Sequence, residues 1–437
     1  MVQIRNPLNT GFAGLFMEKV SIIGLGYVGL PLACLCARKG LTTFGFDVNK
    51  KTVEKINAGI SHIADAELER QVRKLKGKIS ATTDEKVISK ASVIVVCVPT
   101  PVDEKHHPDL YALKSACSSI ARNLKKGQLI IVESTIFPGT TEEVVLPILQ
   151  ESGLKPEKDF FLVHCPERID PGSRKWGIEN IPRVLGGMSK EGTKKAKNFY
   201  GNVLKAEVFE MNSVKEAEAV KLTENSFRDV NIAFVNELAK SFDKMGIDVA
   251  DVIRGASTKP FGFMPFWPGP GVGGHCIAID PYYLIERAKS KGFQHEFLPL
   301  ARKINDSMPA FVVGLAEFLT GNLEGKKIAC LGIAYKADVD DTRESPALKV
   351  VELLKEKRAV VKTFDPFVKS KSNCSSLEEA VKEADCVVLL TAHNLFVKTI
   401  SAEFLKKNNV KAVVDARNAL DKDAISAAGI RFKGIGR

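Results

Sequence analysis

The chain has 437 residues and a formal net charge of +11, from 63 basic and 52 acidic side chains. Its lysines are dispersed and accompanied by glutamates, without a dense basic tract, which disfavours nucleic acid as a partner and suits an anionic small substrate. No apolar run approaches the roughly 18 residues of a membrane span. Residues 1–18 lack the apolar core of a signal peptide and are expected to form an N-terminal extension. We therefore expect a cytoplasmic protein of two or three domains that does not bind membranes.

The cysteine pattern disfavours disulfides and metal binding. There are nine cysteines, an odd number, and no CxxC pair. Most lie in apolar runs, where a thiol acts as a small hydrophobic group. His106 and His107 are adjacent, but no second cluster of ligands accompanies them. The sequence therefore predicts neither a disulfide framework nor a metal site.

The first predicted elements are a strand, a glycine turn, a helix and a second strand that ends in Asp47. The stretches are "EKVSIIGLGYVGLPLACLCARKG" and "LTTFGFDVN". Gly24, Gly26 and Gly29 provide the G-x-G-x-x-G turn that lets a pyrophosphate approach the helix N-terminus. Asp47 would accept hydrogen bonds from the adenosine ribose hydroxyls and repel a 2′-phosphate. This order predicts a dinucleotide site that favours NAD over NADP.

Three further buried strands are predicted, with helical segments between them, as a parallel sheet requires. They lie within 91–101, 128–135 and 159–167. Polar residues end these strands: Thr100, Ser134, Thr135 and Glu167. Because ligands bind beyond the carboxyl ends of parallel strands, we expect these side chains to face the cofactor crevice.

A long helix is predicted from about Lys215 to Lys244, with no internal glycine or proline. Lys221, Asn225 and Asp229 are spaced i, i+4 and i+8 and so line one side of it. Its apolar residues form a broad stripe: Val220, Leu222, Phe227, Val230, Ile232, Phe234, Val235 and Leu238. Such a stripe needs burial beyond one domain, which predicts a homodimer or a higher homo-oligomer.

The stretch "GPGVGGHCIAIDP", residues 269–281, places Cys276 at the end of a glycine-rich loop. The glycines would allow a ligand to approach the sulfur closely. A helix beginning near His275 would also favour the thiolate through its N-terminal dipole. In isolation the stretch fits a structural loop around a buried cysteine better than a reactive thiol.

A second α/β pattern begins near Gly325 and repeats the order of the first, with Gly332 alone in place of the three-glycine turn. The second half should therefore hold a different ligand. The predicted fold class is α/β, with two Rossmann-like, doubly wound parallel-sheet domains joined by a helical middle domain with a long central helix. The predicted boundaries are 19–205 for the NAD-binding domain, 206–322 for the helical domain and 323–437 for the second Rossmann-like domain.

Seven motifs, in order along the chain, resemble those of the UDP-glucose/GDP-mannose dehydrogenase family. They are "IIGLGYVGLPLA", "VPTP", "ESTIFPGTT", "CPERIDPG", "KLTENSFRDVNIAFVNELA", "GPGVGGHCIAIDP" and "GIAYKADVDDTRESP". The resemblance implies NAD-dependent oxidation of a nucleotide sugar at C6 to a uronic acid, with two NAD⁺ per turnover. It also implies that Cys276 is the nucleophile that carries a thiohemiacetal and then a thioester.

The resemblance further implies roles for residues that match the family's motifs. Lys221 and Asn225 would face the reacting oxygen, Asp280 and Glu167 would handle water and protons, and Thr135 would position water. The cofactor contacts would be Gly24, Gly26, Tyr27, Val28, Gly29, Asp47, Thr100, Ser134, Thr135 and Arg343. The substrate contacts would be Glu167, Arg168, Lys221, Asn225, Gly273, Tyr335, Lys336 and Arg417.

The motifs around Glu167 and Cys276 resemble the branch of the family that acts on UDP-N-acetylhexosamines. The resemblance implies UDP-N-acetyl-D-mannosamine as substrate, with UDP-N-acetyl-D-glucosamine as the alternative, and a product used for a surface polysaccharide. One departure concerns an arginine that relatives carry before the glycine loop, often reaching a neighbouring subunit's site. Here only Lys259 is present.

Two other classes share part of the pattern. A single-step hydroxyacid dehydrogenase also combines a dinucleotide domain with a long helix, but it needs neither the Cys276 loop nor the second α/β half. An NAD-binding regulator without turnover could use Cys276 as a sensor thiol, but the sequence contains no DNA-reading motif. Replacing Cys276 would distinguish all three.

Overall fold

The computed structural model describes residues 18–63, 65–103, 107–169, 176–274 and 276–437. The described residues divide into two compact units. The first unit comprises those of Met1–Thr100 and Asp109–Lys221, and the second those of Pro101–Pro108 and Leu222–Arg437. Of the predicted features, His106, His275 and the N-terminal extension apart from Glu18 lie outside the described residues.

The first unit contains a sheet with eight strands in the described residues, in the order β3-β2-β1-β4-β5-β6-β7-β8. The strands are β1 Lys19–Ile23, β2 Thr42–Phe46, β3 Ile79–Thr82, β4 Val93–Val96, β5 Leu129–Val132, β6 Phe161–His164, β7 Arg183–Gly187 and β8 Val208–Glu210. The helices are α1 Gly29–Arg38, α2 Lys50–Asn57, α3 Ala66–Lys74, α4 Tyr111–Asn123, α5 Leu146–Gln150 and α6 Lys190–Val203. The central strands form because their apolar residues are buried on both faces, as in β5, where every residue is buried.

The order β3-β2-β1-β4-β5-β6 is wholly parallel, as predicted, but β7 runs antiparallel to β6. The antiparallel direction of β7 determines where its first residue lies. It brings the N-terminal residue of β7, Arg183, to the edge where the parallel strands end.

The long helix α7, Val214–Met245, matches the predicted span within one residue at each end. The next helices are α8 Val249–Ala256, α9 Asp280–Ser290, α10 Phe297–Asp306 and α11 Met308–Thr320. The second unit also contains the strands β9 Lys327–Leu331, β10 Val360–Phe364, β11 Cys386–Leu389, β12 Ala412–Asp415 and β13 Arg431–Gly434. Its remaining helices are α12 Pro346–Glu356, α13 Leu377–Val381, α14 Asn394–Thr399, α15 Ala402–Lys407 and α16 Lys422–Ala427.

The second sheet is parallel throughout its described strands, in the order β10-β9-β11-β12-β13. Apolar residues of α7, α8, α11 and α12 share one core with its strands, among them Val235, Ile253 and Val350. The helical middle region therefore packs directly on the second sheet. These two sheets and the long helix confirm the predicted fold class. In the described part of the chain, no helix is long and apolar enough to span a membrane.

Candidate functional site

The turn between β1 and α1 has the three features that a pyrophosphate requires. Gly24 has a positive φ of 85°, and a Cβ atom there would lie 2.8 Å from the Cys97 carbonyl oxygen. A Cβ on Gly29 would lie 1.9 Å from the Gly24 carbonyl oxygen, so only glycine lets the helix pack against the strand. A Cβ on Gly26 would meet no protein atom within 4 Å. This open space beside the N-terminus of α1 suits a bound diphosphate.

Asp47, which follows β2, is held beside that turn by backbone donors. Its Oδ2 accepts a hydrogen bond from Leu25 N at 2.8 Å, and its Oδ1 accepts one from Asn49 N at 2.8 Å. Each carboxylate oxygen keeps a second lone pair for a ligand. Tyr27, beside Val28 in the same turn, is exposed. The residues present therefore fit a dinucleotide, and Asp47 would hold its adenosine ribose.

We expect Asp47→Asn to raise the KM for NAD⁺ by roughly 10-fold or more, because a charged acceptor for the ribose hydroxyls is lost. The ratio of kcat/KM for NAD⁺ to kcat/KM for NADP⁺ should also fall, because the repulsion of a 2′-phosphate is removed. Steady-state kinetics with each cofactor provide the measurement. Asp84→Asn is a matched control, because Asp84 is an exposed aspartate near the end of β3 that caps the following turn. If Asp47→Asn and Asp84→Asn had the same KM for each cofactor, Asp47 would not be the residue that binds the ribose.

The ends of β4 and β5 bring three predicted cofactor residues together. The Thr100 hydroxyl donates to the Thr135 carbonyl at 2.7 Å, and the Ser134 hydroxyl donates to the Val98 carbonyl at 2.7 Å. These bonds fix the two strand ends against each other. Thr135 itself is half-buried.

Glu167 lies in a buried ionic cluster at the same edge of the sheet. Its Oε1 accepts hydrogen bonds from the backbone N–H groups of Arg168 at 2.6 Å and Ile169 at 2.7 Å. Its Oε2 pairs with the Arg183 guanidinium, which also lies 3.5 Å from a Glu133 carboxylate oxygen. The Arg168 guanidinium donates to the Pro182 carbonyl at 2.9 Å. The sequence indicated Glu167 and Arg168 but missed Glu133 and Arg183.

The charge of Lys221 acts at this edge of the first unit as well. Burial, followed by the positive charge of Lys221, lowers the pKa of His164 to about 3, so the imidazole is neutral at physiological pH. The same charge acts on Glu133. Lys221, His164 and Glu133 are thus close enough to interact electrostatically.

In the second unit, Cys276 lies in the turn that leads into α9. Its carbonyl accepts hydrogen bonds from Ile279 N at 3.1 Å and Asp280 N at 2.8 Å. Cys276 is exposed, whereas the other eight cysteines are buried. The helix begins at Asp280 and not near His275, because Pro281 suits the first helical turn and the preceding residues form a separate turn. Cys276 is thus not the buried cysteine that the structural alternative assumed.

Asp280 and Asn225, both predicted site residues, contact each other. The Asn225 side-chain amide donates to Asp280 Oδ2 at 2.6 Å, and Asp280 is buried. Asp229, one turn further along α7, has a different environment. It is buried and pairs with Arg302 at 2.6 Å and with the Asn305 amide at 2.8 Å. Asp229 therefore anchors α10 to α7, while Asn225 orients Asp280.

The glycine loop before Cys276 packs on the loop after β9. A Cβ on Gly274 would lie 2.8 Å from the Tyr335 ring, and one on Gly273 would lie 2.8 Å from Tyr335 Cβ. The Gly274 N–H donates to the Arg343 carbonyl at 3.1 Å. Tyr335 and Lys336 are half-buried, and the Arg343 side chain pairs with Asp341 at 2.6 Å. The glycine loop, Tyr335 and Arg343 are thus neighbours.

Two further contacts hold the start of the same loop. Asn236, which the sequence did not single out, accepts a hydrogen bond from Gly269 N at 2.9 Å and donates to Asn305 at 2.9 Å. A Cβ on Gly269 would lie 2.9 Å from an Arg417 guanidinium nitrogen. Arg417 also donates to the Leu390 carbonyl at 2.7 Å. Burial lowers the pKa of Arg417 to about 10, which leaves the guanidinium charged at neutral pH.

The acid after β10, Asp365, differs from its counterpart Asp47. It is fully buried, accepts hydrogen bonds from Ile333 N at 2.6 Å and Ala334 N at 2.9 Å, and contacts His393 Nε2 at 3.0 Å. Although burial opposes ionisation, these hydrogen bonds lower the pKa of Asp365 to about 2. The Asp365 carboxylate therefore stabilises the loop at Gly332 through these hydrogen bonds. This agrees with the prediction that the second half holds a different ligand.

Three domains of the UDP-glucose/GDP-mannose dehydrogenase family match the chain. They are its NAD binding domain at residues 18–204, its central domain at 215–307 and its UDP binding domain at 329–422. The chain belongs to this family. It is an NAD-dependent nucleotide-sugar dehydrogenase, and NAD is its cofactor. Family membership disfavours both the single-step hydroxyacid dehydrogenase and the regulator without turnover.

Relatives with assigned activities match along nearly the whole chain. A UDP-N-acetyl-D-mannosamine dehydrogenase of Pyrococcus horikoshii is 38% identical over 96% of this chain and 99% of its own length. A UDP-N-acetyl-D-glucosamine 6-dehydrogenase of Pseudomonas aeruginosa is 38% identical over 93% of this chain and 98% of its own. The solved structure of a UDP-D-ManNAc dehydrogenase from Pyrococcus horikoshii has a TM-score of 0.89 and 37% identity, covering 96% of this chain and 99% of its own.

In the described residues, no group of three or more histidine, cysteine, aspartate or glutamate side chains could hold a metal ion.

Proposed function

We propose that the protein oxidises UDP-N-acetyl-D-mannosamine at C6 to UDP-N-acetyl-D-mannosaminuronate, consuming two NAD⁺ per sugar. The Pyrococcus horikoshii relatives support this substrate by sequence and by fold. UDP-N-acetyl-D-glucosamine is the second candidate, because the Pseudomonas aeruginosa relative is equally identical. The product would supply precursors for a surface polysaccharide.

The observation that carries the two-step reaction is the exposed Cys276 thiol at the end of a loop that packs on Tyr335. Oxidation of an alcohol to a carboxylate removes four electrons, and NAD⁺ when bound supplies a two-electron hydride acceptor. The aldehyde of the first oxidation has no tetrahedral carbon from which a hydride can leave. Addition of the Cys276 sulfur forms a thiohemiacetal, whose oxidation leaves a thioester. Water then cleaves the thioester to the uronate and restores the thiol.

The neighbouring side chains would handle charge and protons. Lys221, with Asn225, would stabilise negative charge on the C6 oxygen. Asp280, held by Asn225 at 2.6 Å, and Glu167 would exchange protons with the alcohol and with water. Thr135 would position the water.

We further propose that residues 19–205 bind NAD, that residues 206–322 form the helical domain with the Cys276 loop, and that residues 323–437 bind the UDP-sugar. Gly24, Gly26, Tyr27, Val28, Gly29, Asp47, Thr100, Ser134, Thr135 and Arg343 would contact NAD. Glu167, Arg168, Lys221, Asn225, Gly273, Tyr335, Lys336 and Arg417 would contact the UDP-sugar.

The test is the number of NADH molecules formed per sugar consumed, with UDP-N-acetylmannosamine and UDP-N-acetylglucosamine offered separately. Two NADH from the mannosamine sugar alone is the expected result. Two NADH from the glucosamine sugar alone would support the two-step mechanism but show that the proposed substrate is wrong. One NADH with free aldehyde would overturn the thioester pathway.

We also propose a homo-oligomer, with a homodimer as the smallest unit. Part of the predicted apolar stripe on α7 is buried within the chain, as at Leu222 and Val235, but Phe227 and Phe234 are exposed. Phe227 packs edge-to-face on Phe266, with ring centroids 5.8 Å apart. Light scattering coupled to gel filtration measures the mass directly, and a monomer at micromolar concentration would contradict the proposal.

A further inference from the structure

The ionic cluster around Glu167 contains a buried arginine shared by two carboxylates. Arg183 and Glu133 are each 1% exposed, and Glu167 is 3% exposed. A buried guanidinium is costly to leave unpaired, so its partners are expected to be ionised. With two carboxylates and one guanidinium, however, the trio carries a net negative charge when both acids are ionised.

The strand pairing brings these groups together. β6 and β7 are antiparallel, with His164 opposite Gly186. Continuing that register beyond β6 places Glu167 opposite Arg183, which explains their ion pair. Glu133 follows the adjacent strand β5, and its carbonyl accepts a hydrogen bond from Glu167 N at 3.4 Å. The two acids therefore approach the same guanidinium from neighbouring strands.

We propose that Arg183 is a positioning residue that holds the Glu167 side chain in its orientation, and that Glu133 competes with Glu167 for the same guanidinium. The proposal rests on the proposed function only for the role of Glu167 in proton transfer. Arg183 cannot itself exchange protons at physiological pH, so it acts through the carboxylate that it holds.

The surroundings of Glu133 support competition. The Tyr200 hydroxyl donates to its Oε1, and the Cys97 thiol lies 3.9 Å from its Oε2. The charged and titratable groups that face it are Arg183, Glu167, Tyr200, Lys221, Cys36, Cys97 and Cys165. Burial raises the pKa of Glu133 to about 7, even though Arg183 opposes the shift. Glu133 therefore keeps its proton to higher pH than an exposed glutamate, and Arg183 has a second anionic partner only when Glu133 is ionised.

Two substitutions should move the pKa of Glu133 in opposite directions. Arg183→Gln removes the cation that favours the ionised form, so the pKa of Glu133 should rise by about one unit or more. Glu167→Gln removes the neighbouring negative charge, so the pKa of Glu133 should fall by about one unit. Arg183→Lys restores the charge and should recover part of the shift. A purely structural role would not move the pKa in opposite directions.

The measurement is a titration of protein labelled with ¹³C at the glutamate side-chain carboxyls. The Glu133 signal is assigned as the one missing from Glu133→Gln. Arg183→Gln should also lower kcat at pH 7 by about 10²-fold while both KM values change little. Arg122→Gln is the control, because Arg122 forms an exposed ion pair with Glu85 at 2.6 Å in the same unit.

Shifts of the Glu133 pKa in the same direction, or no shift in folded Glu167→Gln and Arg183→Lys, would overturn the proposal. These two variants suffice if Arg183→Gln does not fold. The carboxyl titration needs no substrate, so it separates this inference from the proposed function. Opposite shifts together with a fully active Glu167→Gln would uphold the coupling and remove Glu167 from the proposed chemistry.

Discussion

Cys276→Ser is expected to lower the rate of uronate formation by about 10³-fold or more and to leave at most one NADH per sugar. A serine hydroxyl is a far weaker nucleophile than a thiolate, so the aldehyde would not be converted to the tetrahedral adduct that the second oxidation requires. Binding of the UDP-sugar should change by only a few-fold, because the substitution exchanges one exposed atom. Calorimetric titration and NADH per sugar measure the two effects separately.

Cys374→Ser is a suitable control for that experiment. Cys374 lies in the same unit but is buried, as are the other cysteines apart from Cys276. Its substitution should leave turnover within a few-fold of the original. Brief alkylation of the native protein should also label one thiol per chain and none in Cys276→Ser. Two NADH per sugar at the native rate in Cys276→Ser would contradict the covalent mechanism.

The dinucleotide turn was predictable because its parts are contiguous. The strand, the three glycines, the helix and Asp47 form one local unit, in which a Cβ on Gly29 would clash with the Gly24 carbonyl oxygen and Gly26 leaves open space. The long helix was predictable for the same reason, since its apolar pattern is continuous over the whole span.

The environment of Glu167 was not predictable from the sequence. Arg183 lies at the start of a short apolar run, and nothing local indicates that this run pairs antiparallel with β6. Only that pairing makes Arg183 a partner of Glu167. A charged residue at the boundary of a buried strand, as at both Glu133 and Arg183, is the one signal that could have been used.

The role of Asp229 on α7 was likewise not predictable from the sequence alone. Its spacing from Lys221 and Asn225 correctly predicts a shared side of the helix. What each side chain meets there depends on residues distant in sequence, Asp280 for Asn225 and Arg302 for Asp229. Helical periodicity therefore identifies candidates, while the tertiary contacts decide which of them can do chemistry.

Gly273→Ala is expected to lower kcat/KM for the UDP-sugar by about 10²-fold without changing the affinity for NAD⁺. The added Cβ would lie 2.7 Å from the Glu344 carbonyl oxygen and 2.8 Å from both Pro346 Cδ and Tyr335 Cβ. Backbone and ring atoms cannot move aside cheaply, so the loop itself must shift. Cys276 follows three residues later, and a displacement of about 1 Å at a reacting group can cost roughly two orders of magnitude in rate.

Gly255→Ala provides the matched control, because Gly255 lies in α8 of the same unit and a Cβ there would meet nothing within 4 Å. Alanine is also the better helix former, so this variant should be as active as the original and slightly more stable. Kinetics with the sugar, NADH per sugar and NAD⁺ binding should be compared for both variants. Equal activity of the two would mean that the close packing of the glycine loop on Tyr335 does not position Cys276. A loss in Gly273→Ala alone would tie the rate of the covalent step to that contact.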